Sequence, residues 1–187
     1  MDEWPDDPQP WTVLGSTYLS RKPWMTLRED RVRLPGGALI DDYYVLEYPD
    51  WVNVVAVDRQ GRVVLIRQYR HGIGAVHHEL PAGVCDPDDP DPLETARREL
   101  LEETGYGGGT WSHLMSLSAN PGTHANRNHS FLAVGVERVQ DQDLEATEEI
   151  RVHPTRLDEV RVLLETGGIV QALHVAPLLK YLMTDGK

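Results

Sequence analysis

Glu79-Leu-Pro-Ala-Gly83, an acidic loop, and then Glu94-Thr-Ala-Arg-Arg-Glu-Leu-Leu-Glu-Glu-Thr-Gly105 form the stretch whose reading decides the fold. Within it Glu99, Glu102 and Glu103 stand at i, i+3 and i+4. In a helix that spacing puts all three on one face, about 5–6 Å apart at Cβ. Like charges so close repel, and a hard divalent cation, which prefers carboxylate oxygens, offsets the repulsion. The same residues also fit a solvated, charge-laced surface helix in which Arg98 pairs with Glu102 four residues on.

The helix has signals at both ends. Pro90 and Pro92 suit its entry, where a missing N–H costs nothing. Leu93, Ala96 and Leu100 make one apolar stripe, with Leu101 beside it. Gly105 stands where a left-handed glycine stops a helix.

Outward from this stretch, the 187 residues suit one domain with a small appendage. The net charge of −12 argues against a general nucleic-acid binder, which needs a basic footprint. It leaves room for a small anionic substrate, which needs only local cations and a metal. A single cysteine, Cys85, excludes an intramolecular disulfide and fits a reducing compartment. No apolar run approaches the ~18–20 residues of a membrane span. The acidic, Pro-rich N-terminus is unlike a secretory signal, so the cytoplasm is the expected location.

In chain order, residues 1–10 read as a flexible tail. Residues 11–49 read as a small antiparallel β segment. Its strands are Trp11 to Tyr18, Trp24 to Leu34 with a break near Arg28 to Asp30, and Asp42 to Tyr48. So short a sheet buries little, and is expected to pack on the core or on a second subunit. Asp50 to Asp58 and Arg62 to Arg70 form a hairpin turning at Gly61, β-branched on both faces and so covered on both. A short strand follows at His77 to Leu80. After the helix, Gly107 to Gly109 reads as a flexible joint. Strands at Trp111 to Ala119 and Ser130 to Val139 flank a polar loop. Ile150 to His153 is a last strand, halted by Pro154. Thr155 caps a helix through Glu165, and Ile169 to Met183 is a final helix that Pro177 kinks or splits. The sum is a mixed sheet layered with helices.

Arg98-Glu-Leu-Leu-Glu-Glu-Thr-Gly-Tyr106, opened by Gly83, resembles the signature of the Nudix hydrolases. That family's pattern is Gly, five residues, Glu, seven residues, then Arg-Glu-apolar-x-Glu-Glu-x-Gly-apolar. One departure stands out: the Gly-to-Arg spacing is one residue longer, and Asp88, Asp89 and Pro90 occupy the region of the first Glu. In the family that Glu braces the loop against the helix arginine, a task left here to Asp89 or Asp91. Gln68-Tyr-Arg70, Glu79-Leu-Pro-Ala-Gly83 and Asn120-Pro-Gly122 are most similar to the ADP-ribose pyrophosphatase group.

The resemblance, over residues 50 to 182, implies an α/β (α+β) fold. This is a Nudix-type mixed-sheet α/β/α sandwich at 50–187, with the N-terminal β extension at 11–49 serving dimerisation. It implies Mg²⁺, with Mn²⁺ as a substitute. Glu99 and Glu103 are its direct ligands, the Ala82 carbonyl completes the shell, and Glu102 takes a further ion or acts through water. A base is expected from the acidic loop, where Glu148 aligns best, with Glu149 and Glu145 behind it. Arg70 is the expected phosphate contact. Glu79 is expected to help a second metal or to pair with a cation. Trp24, with Tyr43 or Tyr44, is expected to stack a nucleobase across a homodimer, or simply to pack the β segment. The implied reaction is hydrolysis of a nucleoside diphosphate sugar, ADP-ribose to AMP and ribose 5-phosphate, with GDP-mannose as an alternative. A non-catalytic ligand-binding module is the alternative of another class. Neither nucleic acid nor a membrane is an expected partner.

Overall fold

The computed structural model describes residues 4 and 6–185. Residues 1–3 and 5 of the expected tail lie outside the described residues, and residues 6–10 are exposed without strand or helix. The chain divides into two compact units, Met1–Tyr48 with Asn120–Asn126, and Pro49–Ala119 with Arg127–Lys187.

The first unit is an antiparallel three-stranded sheet of β1 (Thr12–Lys22), β2 (Met25–Arg33) and β3 (Leu39–Leu46). The expected break at Arg28 to Asp30 is absent, because the charges there pair instead of interrupting the strand. Arg28 donates to both oxygens of Asp30, at 2.8 and 3.0 Å, and to Glu47. Ser16 donates to Asp30 from β1 at 2.6 Å. The irregularity falls after Asp30, where the register with β3 slips.

In the second unit β4 (Trp51–Asp58), β5 (Val63–Arg70), β6 (Ala75–Glu79), β7 (Ala82–Val84), β8 (Tyr106–Leu117), β9 (Asn128–Arg138) and β10 (Ile150–Thr155) form one seven-stranded sheet. Its main path runs β10-β5-β4-β9-β8, with β6 on β5 and β7 on β4. β4 and β9 are parallel and the other pairs antiparallel, which makes the sheet mixed. The alternation of β-branched residues puts apolar side chains on both faces. Val52, Val54, Ala56 and Val64 pack with Ala96 and Leu100 of α1 (Pro92–Thr104). Val55, Val57, Val63 and Leu65 pack with Val160 of α2 (Leu157–Glu165) and with Leu178 and Tyr181 of α3 (Ala172–Asp185). The result is the expected α/β/α sandwich. Among the described residues no helix is long and apolar enough to cross a membrane.

Four local expectations give way to tertiary context. Gly107 to Gly109 is no joint but part of β8. Gly108 and Gly109 take φ of 72° and 75°, and a Cβ on Gly109 would meet the Val134 carbonyl oxygen at 2.7 Å. Pro154 does not end β10. It pairs opposite Val64 at the sheet's edge, where a missing N–H is tolerated. Thr155 caps nothing. It closes β10 and donates to the His153 carbonyl at 2.7 Å, while Arg156 stands at the head of α2.

Pro177 does not split α3, and a residue on β4 explains why. A proline in a helix leaves the carbonyl four residues earlier without its donor. Here that carbonyl belongs to Leu173, and the buried side-chain amide of Asn53 donates to it at 2.8 Å. Asn53→Ala is therefore expected to cost about 1–3 kcal/mol, the usual penalty for stranding a buried polar group. In Asn53→Ala/Pro177→Ala the restored N–H should remove much of that cost. Urea unfolding of the four proteins in the cycle measures the coupling, and strictly additive effects would disprove it.

Candidate active site

The site begins with the ends of α1. The Asp91 carboxylate accepts from the Leu93 and Glu94 amides at 2.8 and 3.1 Å, with Pro92 opening the helix. At the other end Gly105 takes φ of 74° and its amide reaches the Leu101 carbonyl at 2.8 Å. With both ends fixed and Ala96 and Leu100 in the core, the three glutamates divide by burial. The Glu103 residue is 4% exposed, whereas the Glu99 and Glu102 side chains are 14% and 40% exposed.

Each carboxylate has a partner that fixes its place. Glu103 accepts from the Ala82 amide at 2.9 Å, tying α1 to β7. Glu99 lies so close to Gly83 that a Cβ there would stand 2.0 Å from its carboxyl carbon. Arg98 donates to Glu99 and to Glu102, both at 2.9 Å, and so offsets part of their repulsion. The same guanidinium reaches Asp89 at 3.0 Å, and Asp89 also accepts from Thr95 at 2.8 Å. Asp89 thus braces the longer loop, and Asp91 is the helix cap.

Burial first, then neighbouring negative charge, pushes the Glu99 and Glu103 carboxyls up from their ordinary range, Glu103 far up. Glu148 contributes to both shifts, which brings the acidic loop to this face of α1. Its own carboxylate accepts from the Glu145 amide at 3.0 Å. Glu149 is directed elsewhere: its side chain is 89% exposed and 3.9 Å from Arg151. Glu145 is exposed as well.

On the neighbouring hairpin Arg70 grips Glu79. Nε lies 2.9 and 3.1 Å from the two carboxylate oxygens and Nη2 lies 2.6 Å from one. Glu79 is buried, whereas the Arg70 side chain is half-exposed. Of the two expectations for Glu79, pairing with a cation is the one seen.

Arg70 and Glu79 open onto a cavity of about 490 Å³. Arg70, Glu79, Ala82 and Gly83 line it on the side of the acidic cluster. Trp51, Ile73, Val84 and Val170 supply apolar wall, and Asn128, Gln171 and His174 supply polar groups. Sequence reasoning missed Trp51, Asn128, Gln171 and His174. Trp51 and Asn128 are directly opposite in the parallel β4–β9 pair, which no local pattern reveals. His174 is buried and accepts the Leu80 amide at Nδ1, 2.9 Å away, and burial holds its pKa down at about 4.

The donor set suits a hard cation. One buried and one part-buried carboxylate that resist ionisation beside further carboxylates are what a divalent ion relieves. Among the described residues no ready-made cluster of three ligating side chains is present. Arg98 and the Ala82 amide hold the glutamates instead, so binding requires their carboxylates to turn.

The expected base-stacking residues belong to the first unit. Trp24 is at the β1–β2 turn and 67% exposed. Tyr43 packs edge-on against Trp11 and donates to the Gly122 carbonyl at 2.5 Å. Tyr44 is exposed. Other histidines contact neighbours away from the cavity lining. His129 bonds Asp50 and Ser116, and the His78 ring lies 5.2 Å from that of His153.

Comparisons with known proteins identify the family. Residues 11–46 match the nucleoside diphosphate sugar hydrolase N-terminal domain, and residues 47–173 match the NUDIX domain. An ADP-ribose pyrophosphatase of Mycobacterium tuberculosis is 36% identical, over 89% of this chain and 81% of that protein. A GDP-mannose pyrophosphatase of Citrobacter koseri is 27% identical over 91% of each. A crystal structure of an ADP compounds hydrolase superposes with a TM-score of 0.83 at 22% identity, covering 97% of this chain and 98% of that one, and so shares the fold. The chain belongs to the NUDIX family of hydrolases, enzymes that work with divalent metals on small nucleotide substrates.

Proposed function

We propose that this protein hydrolyses the diphosphate bridge of a nucleoside diphosphate sugar, ADP-ribose above others, to AMP and ribose 5-phosphate. One observation carries the reading. Glu99, Glu103 and Glu148 share a face that raises two of their pKa values, and Glu103 and Glu99 adjoin Ala82 and Gly83 in the wall of a cavity that holds a half-exposed arginine. Such a face favours a cation and, with it, a diphosphate.

In this reading Glu99, Glu103 and the Ala82 carbonyl hold Mg²⁺, or Mn²⁺ in its place, and Glu102 serves a further ion directly or through water. The cation supplies neutralisation of the diphosphate charge and acidifies a water. Arg70, oriented by Glu79, takes the phosphate oxygens. Glu148 receives the proton of the attacking water, and its placement favours it over Glu149. The water oxygen joins one phosphorus, and the bridging oxygen leaves on the other phosphate. Trp24 with Tyr43 or Tyr44 stacks the base in a homodimer built on residues 11–49. Exposed Trp11, Val13, Leu19 and Met25 support that role for the segment. The cytoplasm is the proposed compartment, in keeping with the unpaired Cys85.

The second reading, the same chemistry on GDP-mannose, is favoured by the relatives named for that activity. The discriminating assay is nucleotide release from a panel of nucleoside diphosphate sugars with Mg²⁺. ADP-ribose should turn over fastest, and EDTA should abolish the reaction. GMP release from GDP-mannose as the dominant activity would select the second reading. No turnover of any diphosphate would sink both.

A further inference from the structure

α3 carries a polar group into the cavity that neither the signature nor the acidic loop accounts for. His174 is only 6% exposed, yet it lines the cavity with Arg70 and Glu79. The Leu80 amide donates to its Nδ1 at 2.9 Å. A ring nitrogen that accepts a hydrogen bond carries no proton, so the proton sits on Nε2. Leu80 is fully buried, so this bond lies in the dry interior and fixes both tautomer and ring. Nε2 has no hydrogen-bond partner among the described residues. It is also absent from the polar atoms sealed from solvent without a partner, which leaves it open to the cavity. Gln171, three residues earlier, reaches the same cavity.

An N–H with a fixed direction, open to the cavity and without a partner among the described residues, is met by water until an acceptor arrives with the ligand. We propose that His174 is a specificity-determining substrate contact, its Nε2–H donating to an oxygen of the sugar-phosphate half of the nucleoside diphosphate sugar. This rests on the diphosphatase reading. The choice of half follows from position: the imidazole lies within electrostatic reach of Arg70 and Glu79, so the oxygen it meets belongs to the held phosphate or to the sugar on it. The apolar wall of Trp51 and Val170 suits the carbon face of that sugar. Proton transfer is not the role, because Nδ1 is occupied and burial keeps the ring neutral.

Two variants separate this from a purely structural histidine. Asparagine at 174 places an acceptor near the Nδ1 position, keeping the Leu80 bond and losing the distal donor. Glutamine reaches the Nε2 position and keeps that donor. His174→Asn is expected to raise KM for ADP-ribose about tenfold, with kcat and Tm near wild type, as loss of one ligand hydrogen bond predicts. His174→Gln should recover most of the KM. A wild-type KM in His174→Asn overturns the proposal. Should neither variant fold, the wild type labelled with ¹⁵N-histidine is titrated with α,β-methylene ADP-ribose. A shifted Nε2–H resonance supports the contact, and an unmoved one overturns it. The titration involves no turnover. A wild type that hydrolyses nothing, yet shifts this resonance, would fail the diphosphatase reading and keep the contact.

Discussion

Glu103→Gln is expected to cut turnover by about 10³-fold, the scale on which one preorganised electrostatic partner acts, and at the same time to stabilise the protein. The two effects share a cause. Glu103 is almost fully buried, and that burial, with Glu99 and Glu148 nearby, raises its pKa well above the ordinary carboxyl value of 4.5. A folded state with a raised carboxyl pKa binds more protons than the unfolded chain. Its contribution to stability is therefore greatest below the unfolded pKa and is lost as pH rises through the folded one. Above the unfolded pKa this burial makes the carboxyl a liability, which a bound cation offsets. Glutamine removes the charge but keeps an oxygen for the Ala82 amide, which now bonds Glu103 at 2.9 Å. In EDTA at pH 7–8 the variant should melt at least about 2 °C above wild type, the shift expected from roughly 1 kcal/mol in a chain of this size. The gap should close near pH 4, and added Mg²⁺ should narrow it by stabilising the wild type alone. Turnover within tenfold of wild type would remove Glu103 from the ligand set. A lower melting point at pH 8 would contradict the burial cost.

The parts of this molecule that were legible in the sequence are those whose causes are local. α1 needs only Pro92, the 96–100 stripe and Gly105, all inside one stretch, and Arg98 meets Glu102 one turn on. The β4–β5 hairpin needs only β-branched runs and Gly61 at φ 75°. What stayed hidden depends on residues far apart. Pro177 looks like a break until Asn53, 120 positions before Leu173, takes the freed carbonyl. Three successive glycines look like a joint until the Val134 carbonyl is found beside Gly109. Asp89 and Asp91 are interchangeable on paper, and only the arrival of Arg98 at Asp89 separates brace from cap. His174 sits in an apolar helix pattern that gives no sign of the Leu80 amide it must accept or of the cavity beyond it. The acidic face of α1 was thus readable and the cavity was not, since the cavity is assembled from β4, β9 and α3 by the sheet's topology.

Gly83→Ala is expected to lower turnover about 10²-fold, a scale that fits misplacement by an ångström or so, while the fold survives. A Cβ at this position would lie 2.0 Å from the Glu99 carboxyl carbon and 2.2 and 2.4 Å from its oxygens. The φ of Gly83 is not among the positive values, so alanine meets no backbone strain there. The three nearest atoms in its way are all the far end of one side chain, which can swing at the cost of its 2.9 Å bond to Arg98. The Arg98 side chain is 35% exposed and keeps Asp89 and Glu102, so the loss in stability should stay within about 1 kcal/mol. Gly105→Ala supplies the contrast. There φ is 74° and the added carbon would stand 2.2 Å from the Gln140 carbonyl oxygen, which is backbone and cannot step aside. That variant should lose several kcal/mol, combining left-handed strain with a displaced chain. Thermal melting and turnover together distinguish the two: Gly83→Ala folded and slow, Gly105→Ala unstable. If Gly83→Ala acts only by evicting the Glu99 carboxylate, adding it to Glu99→Gln should slow the enzyme little further than Glu99→Gln alone. Full activity in Gly83→Ala would show that the position of Glu99 does not matter to the reaction, and with it would fall the assignment of Glu99 as a cation ligand.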